Sequence, residues 1–140
     1  MQLNLKSGDL FSSTECLAHC ISEDIRMGKG IAVKFKTLFG GVNELKQQQA
    51  SPGGLAVLAR GDRYIFYLVT KKNYYDLPTY SNLWRSLKCM REFCIKNDVK
   101  SISMPKIGCG LDRLKWSQVC KIISSVFENT NIEITVYVLA

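Results

Sequence analysis

The chain has one histidine, His19, and none of its six cysteines (16, 20, 89, 94, 109 and 120) pair as Cys-x-x-Cys. A structural zinc site needs four Cys or His ligands at close paired spacing, so no metal site is expected. No cofactor is expected either. No apolar run approaches the roughly 20 residues that span a bilayer. The start, Met1-Gln2-Leu3-Asn4-Leu5-Lys6, alternates apolar and polar and lacks the basic start and apolar block of a signal peptide. The chain is therefore expected in the nucleus or the cytoplasm, away from membranes. Repeats, long linkers and blocks of five or six like charges are missing too. So is a Gly-Lys-Ser/Thr after a four-residue spacer, which excludes the nucleotide P-loop, and the full dinucleotide fingerprint.

What is there is ordinary globular material. The chain has 140 residues, 46% apolar, 22% charged and 10% aromatic, enough for one domain over 1–140 with a sizeable core. Nineteen Lys and Arg against twelve Asp and Glu leave a net charge of +7. A small basic domain favours an anionic partner. The charges are scattered, and three readings stand: a solvated basic surface, an anion pocket, or a nucleic-acid stripe. The cysteines fall mostly in apolar runs and read as buried free thiols in a reducing compartment. Cys109 differs, because it sits between Gly108 and Gly110. It could act as a nucleophile only if the fold brought His19 to it as a base.

Along the chain, strands and helices alternate. Strands are expected at 3–6, 16–21, 55–58, 64–70, 101–104 and 132–139. The pair 55–58 and 64–70 reads as a hairpin around Gly61-Asp62. Helices are expected at 31–38, at 42–49 after the Gly40-Gly41 break, from Pro78-Thr79 to Asn97-Asp98, and at 116–128. This order predicts one α/β domain with a mixed sheet between helices.

Two glycine loops hold equivalent places. Gly28-Lys29-Gly30 and Gly108-Cys109-Gly110 each follow a short buried strand and precede a helix. Glycine lets backbone approach a phosphate, and a following helix start offers free N–H groups. Lys71 ends the apolar strand 64–70, with Lys72 beside it. It is either a solvated strand-end charge or an amine aimed into a cleft, where a neighbouring cation disfavours its protonation. Asp112 is either a helix cap or a general acid/base. Asp9 is either a cap or an acceptor for a base's amino group.

Together these residues resemble a macrodomain, the ADP-ribose-binding α/β fold, and most of all its terminal ADP-ribose protein glycohydrolase branch. The resemblance is carried by Gly8-Asp9-Leu10-Phe11, by Ala18 to Asp24, by Arg26-Met27-Gly28 and by Gly30-Ile31-Ala32-Val33. Phe39-Gly40-Gly41-Val42, Thr70-Lys71-Lys72 and Met104-Pro105 followed by Ile107 to Leu114 continue it. It implies a three-layer α/β/α sandwich around a mixed six- to seven-stranded sheet. It implies that Asp9 holds the adenine amino group. The loops, through Met27, Gly28, Gly30, Ile31 and Ala32 and through Ile107, Gly108, Cys109, Gly110 and Leu111, would enclose the diphosphate and distal ribose. Leu10, Ser22 and Tyr137 complete the implied ligand contacts. Lys71 and Asp112 are the implied catalytic pair, the lysine forming a covalent adduct with the ribose and the aspartate resolving it.

The implied activity removes ADP-ribose from acidic side chains and from related esters such as O-acetyl-ADP-ribose. ADP-ribosylated proteins would be the partners, with ADP-ribosylated nucleic acid as a further substrate and the DNA damage response as a setting. A monomer is expected. Many macrodomain hydrolases place asparagines where this chain has His19-Cys20-Ile21-Ser22, so their mechanism does not carry over. Residues 73–77 match no motif. Two other readings remain: an ADP-ribose reader without catalysis, favoured if Lys71 is paired or turned away, and a basic nucleic-acid-binding domain with no pocket.

Overall fold

Apolar runs without alternation belong to strands covered on both faces. The computed structural model describes residues 1–139, and its two longest such runs lie side by side as β2 (Cys16–Ser22) and β4 (Arg63–Lys71). β1 (Gln2–Ser7), β3 (Gly54–Arg60), β5 (Ser101–Met104) and β6 (Glu133–Val138) complete the sheet. The order is β1-β6-β5-β2-β4-β3. Every pairing is parallel except the β3–β4 hairpin, which turns at Gly61-Asp62 as the sequence predicts.

The helices are α1 (Ile31–Phe39), α2 (Val42–Gln47), α3 (Tyr80–Lys96) and α4 (Trp116–Val126). Side-chain alternation along the central strands separates two apolar layers. On β4, Phe66 and Leu68 pack with Leu83, Leu87 and Met90 of α3 and Val119 and Ile123 of α4. Ile65, Tyr67 and Val69 face the other way, toward Phe35 of α1 and Leu45 of α2. The result is a six-stranded mixed sheet between helical layers.

Two expectations need correction. The thiols are free, but only Cys16 and Cys94 are buried, and Cys89 is exposed. Cys89 lies at the flank of α3, where its thiol donates to Gly53 O at 3.7 Å. The second glycine loop does not run into a helix. Gly110–Asp112 forms a 3-10 turn, Arg113 adopts a left-handed conformation, and α4 begins only at Trp116.

β5, β2 and β4 are parallel neighbours, so their carboxyl ends share one edge of the sheet. In open α/β sheets ligands bind beyond that edge. Here it is flanked by the segment after β2, the segment after β4 and the segment after β5.

Candidate active site

These three segments enclose a cavity of about 730 Å³. β2 supplies its floor through His19, Cys20, Ile21 and Ser22, and β4 supplies Lys71. One wall is Arg26–Ala32, the other is Pro105–Cys109 with Leu111, Asp112 and Arg113, and residues 74–77 form a rim. Five cations line it (Arg26, Lys29, Lys71, Lys106 and Arg113) against two carboxylates, Asp76 and Asp112. The cavity therefore suits an anion.

The first glycine loop does what its sequence promises. Gly30 is the N-cap of α1 at φ +60, and Ile31 and Ala32 of the first turn line the cavity. No acidic side chain occupies that turn, so its free N–H groups are open to an anion. Ile25 and Met27, just upstream, also have positive φ, which is uncommon for any non-glycine residue and most of all for a β-branched one such as Ile25. Such backbone persists only where surrounding structure holds it.

The second loop delivers a side chain. Leu114 N–H donates to Gly108 O at 2.8 Å and folds the loop back on itself. Gly108 has φ +72, and a Cβ there would lie 2.8 Å from Leu114 Cδ1, so glycine is favoured at this position. The 3-10 turn at the loop's end places Asp112 against Lys71. Lys71 Nζ donates to Asp112 Oδ1 at 2.7 Å, with both side chains more than four-fifths buried. Two groups 41 positions apart thus meet inside the cavity. Asp112 caps no helix, and Lys71 is not a solvated strand-end charge.

The rim is fastened to the first wall. Asp24 accepts from Ser22 Oγ in a short hydrogen bond, from Tyr74 N–H at 2.9 Å and from Arg26 N–H at 3.2 Å. Burial pushes its carboxyl up, but these hydrogen bonds outweigh that and hold it below the usual carboxylate value. The Arg26 guanidinium lies 4.1 Å from the Tyr74 ring centroid, a second tie. Neither contact is legible in a motif.

The Cys109–His19 pair does not form. The His19 ring is buried on the other face of β2, stacked 3.7 Å on Phe35, and neither nitrogen has a hydrogen-bond partner among the described residues. Burial pushes its pKa down to about 3, so the ring is neutral. Burial pushes the Cys109 thiol up, with the Asp112 carboxylate adding to the rise and the Lys106 cation opposing it. The Cys20 thiol is also pushed up by burial, reinforced by Asp112. Neither is a thiolate nucleophile.

Of the expected ligand contacts, Ser22, Met27, Gly28, Gly30, Ile31, Ala32, Ile107, Gly108, Cys109 and Leu111 line the cavity with Lys71 and Asp112. Gly110, Asp9, Leu10 and Tyr137 do not. Asp9 Oδ1 accepts from Phe11 N–H at 3.0 Å and caps a 3-10 turn, and Leu10 is buried within it. Tyr137 lies on β6 beside Lys6 of β1. This group gathers at the ends of β1 and β6, and β6 stands two strands, about 10 Å, from β2.

The macro domain family model matches residues 18–123. The chain belongs to the macro domain family. It is 59% identical to ADP-ribose glycohydrolase OARD1 of Homo sapiens, over 94% of this chain and 88% of that protein. The DNA ADP-ribosyl glycohydrolase of Thermus aquaticus is 29% identical over 96% of this chain and 41% of its own length. Among solved structures, the macrodomain of Thermus aquaticus DarG superposes with a TM-score of 0.88 at 28% identity, covering 98% of each chain. The reading of a nucleic-acid-binding domain without a pocket is overturned by the cavity.

Proposed function

We propose that this macro domain hydrolyses the bond between ADP-ribose and an acidic side chain, or a related ester such as O-acetyl-ADP-ribose. The observation that carries the reading is the Lys71–Asp112 contact inside a cation-lined cavity. The likeness to named ADP-ribose glycohydrolases supports it.

The diphosphate sits against the start of α1 and the second loop, which hold it through backbone N–H groups. The distal ribose comes to Lys71. Adenine extends toward the ends of β1 and β6, where Asp9, Leu10 and Tyr137 gather. Asp112 takes a proton from the Lys71 ammonium, leaving a neutral amine and a carboxylic acid. The amine attacks the anomeric carbon, the new N–C bond forms, the ester C–O bond breaks, and the acceptor carboxylate leaves. Asp112 then directs proton transfer as water replaces the lysine and frees ADP-ribose. Pairing with Asp112 is thus the resting state of the nucleophile rather than a sign of a reader. The second loop holds the pair at bonding distance before substrate arrives.

Lys71→Ala should bind ADP-ribose and release it from a glutamate-linked peptide at least about a thousandfold more slowly. The ribose ring of this adduct opens to an imine between Lys71 and C1, so borohydride added to wild type with ADP-ribose should reduce that C=N bond and leave a stable secondary amine on Lys71, seen by mass spectrometry. Binding with undiminished release by Lys71→Ala would sink the lysine mechanism. A wild type that binds and releases nothing would be a reader.

ADP-ribosylated nucleic acid is a second substrate class, favoured by the net charge of +7. We place the enzyme in the nucleus and cytoplasm, reversing ADP-ribosylation in settings that include the DNA damage response. It acts as one domain and as a monomer, which sedimentation checks directly.

A further inference from the structure

Amphipathic helices turn aromatics inward, and exposed ones in a cluster mark an interaction surface. Among the described residues the exposed aromatic side chains are Tyr74, Tyr75, Tyr80 and Trp84, all in one short stretch that starts just past Lys71. Leu77, 58% exposed, lies among them. The core of α3 is made instead by Leu83, Leu87, Met90 and Cys94. The exposed group therefore has no role in packing the sheet.

The stretch continues the cavity's rim. Tyr75, 72% exposed, lines the mouth. Tyr80 Oη accepts from Lys115 N–H at 3.0 Å, which joins the start of α3 to the segment behind Arg113, another lining residue. Tyr80, Trp84 and Lys88 are spaced four apart and share one helix face. Cations stand beside two of the rings: Arg26 lies over Tyr74, and the Lys88 ammonium lies 4.6 Å from the Trp84 ring centroid, while the one carboxylate between Tyr74 and Lys88, Asp76, is engaged by the backbone and side-chain N–H groups of Asn73. The first turn of α3 holds no acidic side chain. Aromatic faces interleaved with cations are what an unpaired nucleic-acid strand needs, since every base has a stacking face and every link a phosphate. A glutamate or aspartate acceptor has no ring of its own for Trp84 to stack on.

We propose that the surface from Tyr75 to Lys88 is a docking track for single-stranded nucleic acid whose ADP-ribose occupies the cavity, with bases stacked on Tyr75 and Trp84 and phosphates against Lys88 and Lys115. This rests on the hydrolase reading with a nucleic-acid acceptor. The track begins on the Lys71 side of the cavity, where the acceptor leaves, so a strand lying along it presents its modified base to the lysine.

The test uses the whole chain and two substrates: a single-stranded oligodeoxynucleotide with ADP-ribose on one base, and a peptide with ADP-ribose on glutamate. Trp84→Ala should raise KM for the oligonucleotide roughly tenfold, and Trp84→Phe should restore most of that loss. Lys88→Glu should raise the same KM and flatten its salt dependence. Peptide kinetics should not change in any of the three. Oligonucleotide kinetics indifferent to both positions would overturn the track, as would equal losses on both substrates or a loss on the peptide alone. A wild type active on the peptide but never on the oligonucleotide removes the nucleic-acid acceptor itself. Inactivity on both removes the hydrolase.

Discussion

The two glycine loops are written alike and work differently. Gly28-Lys29-Gly30 passes directly into α1, so its contribution to the cavity is backbone: free N–H groups at a helix start. Gly108-Cys109-Gly110 is followed by a 3-10 turn and reaches α4 only at Trp116. That detour puts a carboxylate, Asp112, on Lys71. What separates a loop that holds an anion from one that supplies an acid is the path to the next helix, not the glycine spacing.

Removing the acid from the second loop should have the larger effect. Asp112→Asn keeps the shape of the turn but cannot take the lysine's proton, and release of ADP-ribose should fall by about 10²–10⁴ while binding measured by calorimetry persists. The same change at a loop that only binds would move affinity instead.

Gly108→Ala comes next. The added methyl meets the Leu114 Cδ1 methyl at 2.8 Å and the backbone is left-handed, so Leu114 must repack and the loop carrying Asp112 is strained. Stability should drop by about 1–3 kcal/mol in a denaturant melt, with turnover reduced more than ADP-ribose affinity. Gly30→Ala is the matched probe of the first loop. Its nearest neighbour, Leu111 Cδ1, is 3.6 Å away, so the cost is conformational alone. At φ +60 and ψ −145 this backbone suits glycine almost alone, so a loss of about 1–3 kcal/mol is expected, and affinity should suffer more than turnover. If both alanines changed the same kinetic constant, the division of labour between the loops would be wrong.

The smallest effect at neutral pH concerns the floor between them. His19 has a folded pKa near 3 against an ordinary value of 6.5. A depressed value means that the unfolded chain binds the proton first, so this contribution is full above pH 6.5 and is lost as pH falls toward 3. Thermal melts should show a decline on the order of 1.4 kcal/mol per pH unit across that window. His19→Phe should flatten the slope. An unchanged slope would mean that the ring is not the group responsible.

Much of this was legible in the chain. Nearly continuous apolar runs at 16–21 and 64–70 announce buried strands, and they became neighbours at the sheet's centre. The cap at Thr79 and the spacing of Leu83, Leu87, Met90 and Cys94 announce α3. Three features were not legible, for one shared reason: each depends on a partner far away in sequence. His19 looked like a possible base for Cys109 because only the strand's pleat decides that the two lie on opposite faces. Asp9 reads equally as a cap or a base acceptor until its bond to Phe11 is seen. Residues 73–77 carry no motif because Asp24, Arg26 and the cavity give them their meaning.

By itself the sequence determined the period and order of the elements, the two glycine breaks, the cationic excess and a lysine at a strand's end, since these are local properties of neighbouring residues. Only the tertiary structure decided that β5, β2 and β4 end at one edge, that Asp112 reaches Lys71, and that the aromatics after Lys71 stay exposed. Those facts arise from parallel pairing across long loops, where the folded core rather than local propensity selects which chain ends meet.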